Sequence, residues 1–161
     1  MIQRVQSVFL LVMALVMLTI LFVPIWVKGD YETKEYVTLT AFNETHADQS
    51  GVVPQVYAQR STIYIAILAI LSAALSIYAI FQYSNRLTQI KLGALNSLFV
   101  AGVMGGIFYA TWQGGSFMPG DYPQEHKIGF ILPVIALIFN SLANRFIRRD
   151  ERLVKDSDRM R

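Results

Sequence analysis

Four apolar runs, each about as long as a membrane crossing, govern what this chain can fold into. The first covers Val5 to Val27 without a charge, and the second covers Thr62 to Gln82, also uncharged. The third is Ile90 to Trp112, with Lys91 at its edge, and the fourth is Ile128 to Ile147, with Arg145 in its last turn. At ~1.5 Å per residue, about twenty residues cross a hydrocarbon core of ~30 Å. Backbone groups at that depth find no water, so each run is expected as a helix. Composition agrees: of 161 residues 54% are hydrophobic and only 16% charged, far from a soluble average. The expected fold class is an all-α membrane protein, a four-transmembrane-helix bundle over 1–147 with a charged helical tail over 148–161. The first run reads as an uncleaved span, because it is longer than a signal-peptide core and no small-residue cleavage site follows it.

Four crossings return both termini to one side. That side holds Arg4, Arg86, Lys91 and the basic residues from Arg145 onward, ten in all, against four acids. The opposite side holds four basic residues against seven acids. The positive-inside rule therefore places both termini in the cytoplasm. Trp26, Tyr31, Tyr64, Tyr109 and Trp112 fall at the opposite ends of the runs, where an interfacial aromatic belt is expected. The sequence pI of about 9.3 is thereby explained by topology. The basic tail is expected against an anionic leaflet, and nucleic acid is not an expected partner.

The third run carries short residues four apart, Gly93, Ser97, Ala101 and Gly105, and an overlapping pair, Gly102 and Gly106. Short side chains on one helix face admit a neighbouring backbone, either within the bundle or from a second protein or copy. Asn96, Asn140 and Asn144 are the polar groups at depth, and their amides are expected to bond across helices. Of the two outer loops, 28–61 is expected to form a small extracytoplasmic cap with a short β-hairpin. Tyr36, Thr38, Thr40 and Phe42 alternate along one β-prone stretch, and Pro54 confines Val56-Tyr57 to a sheet edge. The loop 113–127, rich in glycine and proline, reads as a turn or flap. Glu44, His46 and Asp48, and likewise Asp121, Glu125 and His126, read as solvated surface groups and not as metal ligands.

The runs contain no ionisable side chain at mid-depth, which argues against a proton relay, ion coupling or a charged-substrate site. Cysteine is absent, which removes disulfides, thiol chemistry and Cys-ligated metals. No nucleotide-binding or hydrolase motif occurs. Neither catalysis nor any metal or cofactor is expected.

The opening Met1-Ile2-Gln3-Arg4-Val5-Gln6, and the closing Ala143-Asn144-Arg145, Arg149-Asp150-Glu151, Leu153-Val154 and Asp158-Arg159, resemble the ends of a small membrane-protein family of the Bacteroidetes. That family is known only as a domain of unknown function. The resemblance spans nearly the whole chain and implies the inner membrane of a Gram-negative cell, with no activity attached. It also gives the tail residues Arg149, Asp150, Glu151, Asp158 and Arg159 an expected role in interaction, and Arg148 of the same charged tail is expected to share it. The function expected from these features is that of a non-catalytic accessory subunit or assembly and scaffolding factor in a membrane complex. The alternative is a component that handles a small solute or lipid near Asn96 and Asn140.

Overall fold

The computed structural model describes residues 2–30, 34–48, 50–51, 54–82, 85–118 and 120–159, with side chains described between residues 5 and 152. Four helices appear: α1 (Ile2–Thr19), α2 (Ile63–Phe81), α3 (Arg86–Gly114) and α4 (Ile128–Arg159). α1 packs on α2 and α4, and α3 packs on the same two, so the four close a ring around one core. Their inward faces recur at helical spacing: Leu10, Met13, Ala14 and Met17 on α1, and Ile65, Ala66, Ala69 and Ala73 on α2. Val100, Val103 and Ile107 on α3, with Ala136 and Ala143 on α4, complete the set, and all are buried.

The outward faces are apolar as well. Val8, Leu11, Leu15, Ile67, Leu71, Leu98, Phe108, Ile131 and Ile138 are 45% to 66% exposed. A helix that is apolar all round belongs in apolar surroundings. The stretches Ile63–Phe81, Arg86–Gly114 and Ile128–Arg152 are long and apolar enough to cross a membrane. α1 contributes a shorter apolar stretch, Val5–Thr19.

The chain is not purely helical, which corrects the all-α expectation. Five strands, β1 (Trp26–Gly29), β2 (Glu35–Leu39), β3 (Asn43–Asp48), β4 (Gln55–Ser61) and β5 (Gln124–His126), form one antiparallel sheet in the order β4-β3-β2-β1-β5. The expected hairpin is part of it. Val37, Leu39 and Ala41 point inward, so the alternation of Tyr36, Thr38, Thr40 and Phe42 is on the outer face. β4, which follows Pro54, takes an edge. β5, in the loop read as a flap, takes the other.

The first apolar run divides between helix and strand. Proline has no N–H and disfavours helix in the residue before it, and α1 ends at Thr19, ahead of Pro24. Past a turn, Ile25 N donates to Leu39 O at 2.8 Å, and Trp26 pairs with Leu39 on one side and His126 on the other. The run thus ends in the central strand β1, with Ile25 just ahead of it, and Ile25 and Trp26 are buried. A short apolar run reads equally as a buried strand or as helix, and only its partners separate the two. The entry to α4 is tied to the same segment: Lys127 N donates to Ile25 O at 3.0 Å and Gly129 N to Pro24 O at 3.1 Å. Those bonds satisfy backbone groups at a helix start that has no intrahelical partner for them.

Sheet and bundle meet most closely at Gly114. A Cβ there would lie 2.0 Å from Glu44 Oε1 and 2.9 Å from the Trp26 ring. At Gly105 a Cβ would meet nothing within 4 Å. Gly114→Ala is therefore expected to cost about 1–3 kcal/mol through overpacking and to lower the thermal midpoint in detergent. Gly105→Ala should leave the midpoint unchanged or raise it, since alanine is the better helix former. Equal midpoints for the two variants would show that cap and bundle are not tightly joined.

Candidate functional site

Three polar places interrupt the apolar framework. The first is inside the bundle. Asn96 is buried; its Oδ1 accepts from Ser72 Oγ at 2.6 Å, and its Nδ2 donates to Ser76 Oγ at 2.6 Å and meets Met13 Sδ at 3.4 Å. One amide thus joins α3 to α2 and α1. Asn140, also buried, joins α4 to α3, with Nδ2 2.8 Å from both Gly93 O and Ser97 Oγ. Interhelical bonds of this kind contribute ~0.6–2 kcal/mol each. Asn96 and Asn140 thus bond across helices, whereas Asn140 Oδ1 and Asn144 Oδ1 have no hydrogen-bond partner among the described residues.

The short residues of α3 divide their work among different neighbours. Gly93 gives room to Asn144, whose Oδ1 would lie 2.0 Å from a Cβ. Gly102 faces Leu68, and Gly106 faces Tyr64 and Ile65, so this pair serves α2. Tyr64 is accordingly packed on α3 and only partly free for the aromatic belt. Ala101 is exposed and Gly105 borders open space. Tyr109 and Trp112 stay exposed near the cap, whereas Trp26 is buried and leaves the belt. Tyr31 lies outside the described residues.

The second place is the junction of cap and bundle, which no local pattern announces. Glu44, expected as a solvated loop carboxylate, is fully buried. The register explains why. Glu44 stands opposite Leu39, and cross-strand partners share a face of the sheet, here the face covered by the bundle. Its Oε2 lies 3.8 Å from Arg60 Nη1. Neither Glu44 oxygen has a hydrogen-bond partner among the described residues. Arg60 in turn donates to Gln113 Oε1 at 2.6 Å and lies 4.7 Å from the centre of the Phe117 ring. Desolvation pushes the Glu44 carboxyl above its usual range, against the opposing pull of Arg60. Nearby, Lys28 is also buried, and its Nζ donates to Met118 O and Gly120 O at 3.0 Å each, pinning the loop ahead of β5. Of the remaining residues singled out in the loops, His46 lies edge-on to Tyr57, and His126 packs on Phe130 with ring centres 4.2 Å apart. Among the described residues no three acidic or histidine groups converge on a point where a metal ion would sit.

The third place is at the far end of the bundle. Arg145, Arg148, Arg149 and Arg152 recur at i, i+3, i+4 and i+7 on α4, and with Ser97, Ser141 and Asn144 they line a groove of about 670 Å³ between α3 and α4. Asp150 faces elsewhere: its Oδ2 is 2.9 Å from Arg86 Nη2, and its carbonyl accepts from Arg86 Nη1 at 2.8 Å. That double contact ties the tail to the start of α3. α4 continues through the tail to Arg159. The side chains of Asp158 and Arg159 lie outside the described residues, and Glu151 does not line the groove.

The raised Glu44 carboxyl has a consequence for stability. A carboxylate whose pKa is higher folded than unfolded makes the native state bind more protons, so its contribution is largest below the unfolded pKa and falls as pH rises through the folded one. Acidification from neutral pH should therefore stabilise the junction through this group. Glu44→Gln should raise the thermal midpoint at neutral pH and flatten this part of the profile. A profile identical to that of the parent chain would show that Glu44 is not held in a desolvated state.

No curated protein matches this chain. A family described as a domain of unknown function, DUF4293, matches residues 2–160, nearly the full length, as the resemblance of the chain ends implied. The protein belongs to the DUF4293 family.

Proposed function

We propose that this protein is a non-catalytic integral membrane protein, an accessory subunit or assembly and scaffolding factor of a larger complex in a bacterial inner membrane. In this reading all four helices cross the bilayer, both termini are cytoplasmic and the sheet forms an extracytoplasmic cap. The observation that carries it is the set of amide bonds that tie the helices together across the interior. Both polar atoms of the buried Asn96 amide bond to α2, and Asn140 Nδ2 bonds to α3, although Asn140 Oδ1 has no hydrogen-bond partner among the described residues; these bonds support a packing role for the amides. The outward apolar residues Val8, Leu11 and Leu15 on α1 support a fourth crossing alongside the three longer helices. The open edge of β4, with Val56 and Tyr57 more than half exposed, supports a partner for the cap, since an unpaired strand edge offers main-chain groups to another chain. A second reading, the handling of a lipid or small solute, draws on the arginine-lined groove.

Two measurements test the first reading. Native mass measurement after gentle extraction should find the chain associated with a partner or with itself, and a strictly monomeric chain would overturn the subunit role. Because the parent has no cysteine, Ser50→Cys and Ser157→Cys each give a unique label site. An impermeant thiol reagent should reach position 50 from outside intact cells' inner membrane and position 157 only after that membrane is opened. The reverse pattern would overturn the orientation.

A further inference from the structure

The arginine groove has a shape and a chemistry that neither the subunit role nor the positive-inside rule requires. Topology needs basic residues on one side of the membrane; it does not need four of them on one face of one helix. From Ser141 to Arg152 the lining extends about 17 Å along α4 at the helical rise. Its described lining holds four guanidinium groups, two hydroxyls and one amide, and no carboxylate. Four like charges within about two turns repel one another, and Asp150, next to Arg149 in sequence, is engaged by Arg86. Arginine offers paired donors that match phosphate oxygens. Basic pockets between membrane helices are known to suit lipid headgroups.

The groove also has a direction. Its wall on α3 is Ser97, and four and eight residues further along the same face come Ala101, which is exposed, and Gly105, where a side chain would meet nothing within 4 Å. Gly93 and Ser97 are used by α4 through Asn140, whereas Ala101 is exposed and a Cβ at Gly105 would meet nothing within 4 Å among the described residues. From Ser97 this shallow track runs about 12 Å further from the arginines, into the apolar stretch of α3. A soluble phosphate would need the arginines alone. A charged head joined to an apolar chain fits both parts.

We propose that the α3–α4 groove binds an anionic phospholipid, its phosphate held by Arg145, Arg148, Arg149 and Arg152 and an acyl chain lying along the Ser97–Ala101–Gly105 face of α3. The site depends on α3 and α4 lying in a bilayer, and on neither the subunit role nor the orientation, so those can fail without it.

The test uses the full chain, delipidated in detergent and then offered phosphatidylglycerol or phosphatidylcholine, with bound lipid read by native mass spectrometry. The parent should retain one phosphatidylglycerol with a preference of about tenfold or more over phosphatidylcholine. Arg145→Gln with Arg148→Gln, both exposed, should abolish the preference. Ser141→Phe should block the groove with no change of charge. Gly105→Leu should weaken phosphatidylglycerol binding while leaving the binding of inorganic pyrophosphate unchanged. Equal retention of the two lipids, or a preference that survives the double arginine variant, would overturn the proposal. Displacement of phosphatidylglycerol by pyrophosphate, with Gly105→Leu silent, would assign the groove to a soluble phosphate and overturn the lipid assignment.

Discussion

Satisfaction of backbone hydrogen bonds by the chain itself is the constraint on which the rest of this architecture depends. Where both sides of a segment are apolar, as on α2 and the central part of α3, only a helix closes every N–H and C=O locally. α1 ends at Thr19, and Pro24 beyond it has no N–H to donate and disfavours helix in the residue before it, so the helix does not resume there. The chain then satisfies its backbone laterally, by pairing β1 with β2 and β5. One residue thus marks the change from helix to sheet, and the start of α4 borrows two carbonyls from the same segment. The cap is bonded into the bundle through its backbone as well as packed upon it.

Within that frame, polar groups are placed according to what they can reach. At depth there are amides and hydroxyls bonded across helices, Asn96 with Ser72 and Ser76, and Asn140 Nδ2 with Gly93 and Ser97. Charges collect at the two ends. Near the cap, Glu44 and Lys28 are both buried, but on unequal terms. Lys28 finds two carbonyls at bonding distance, while Glu44 finds only an arginine at 3.8 Å, so burial costs the carboxylate more than its surroundings return. At the tail end, Arg86 and Asp150 neutralise each other across two helices, and Arg145, Arg148, Arg149 and Arg152 face a groove.

α3 shows how one helix serves several neighbours by omitting side chains. Gly93 admits Asn144, Gly106 admits Tyr64, and Gly114 admits Glu44 and Trp26. Those three contacts face α4, α2 and the sheet in turn. Gly105, in the same ladder, admits nothing within the chain, and this separates a residue that is short for packing from one that leaves space outside.

The sequence by itself determined where the long apolar helices run, that their ends differ in charge, and that the segment after the first helix alternates as a strand does. Those properties are local: each follows from the composition and spacing of one stretch, and no distant residue can change it. Tertiary structure alone decided that Trp26–Gly29 is a strand, that Gln124–His126 pairs with it, and that Glu44 lies inside. The strand Asn43–Asp48 has no apolar alternation to announce an inner face. Its orientation comes from pairing with Leu39 and Val37, and the sheet's inner face exists only because the bundle end covers it. Likewise the ladder on α3 was legible as a row of short residues. Which rung meets a helix, which meets the cap and which opens outward depends on the rotation of α3 against α2 and α4, set by contacts between residues far apart in the chain.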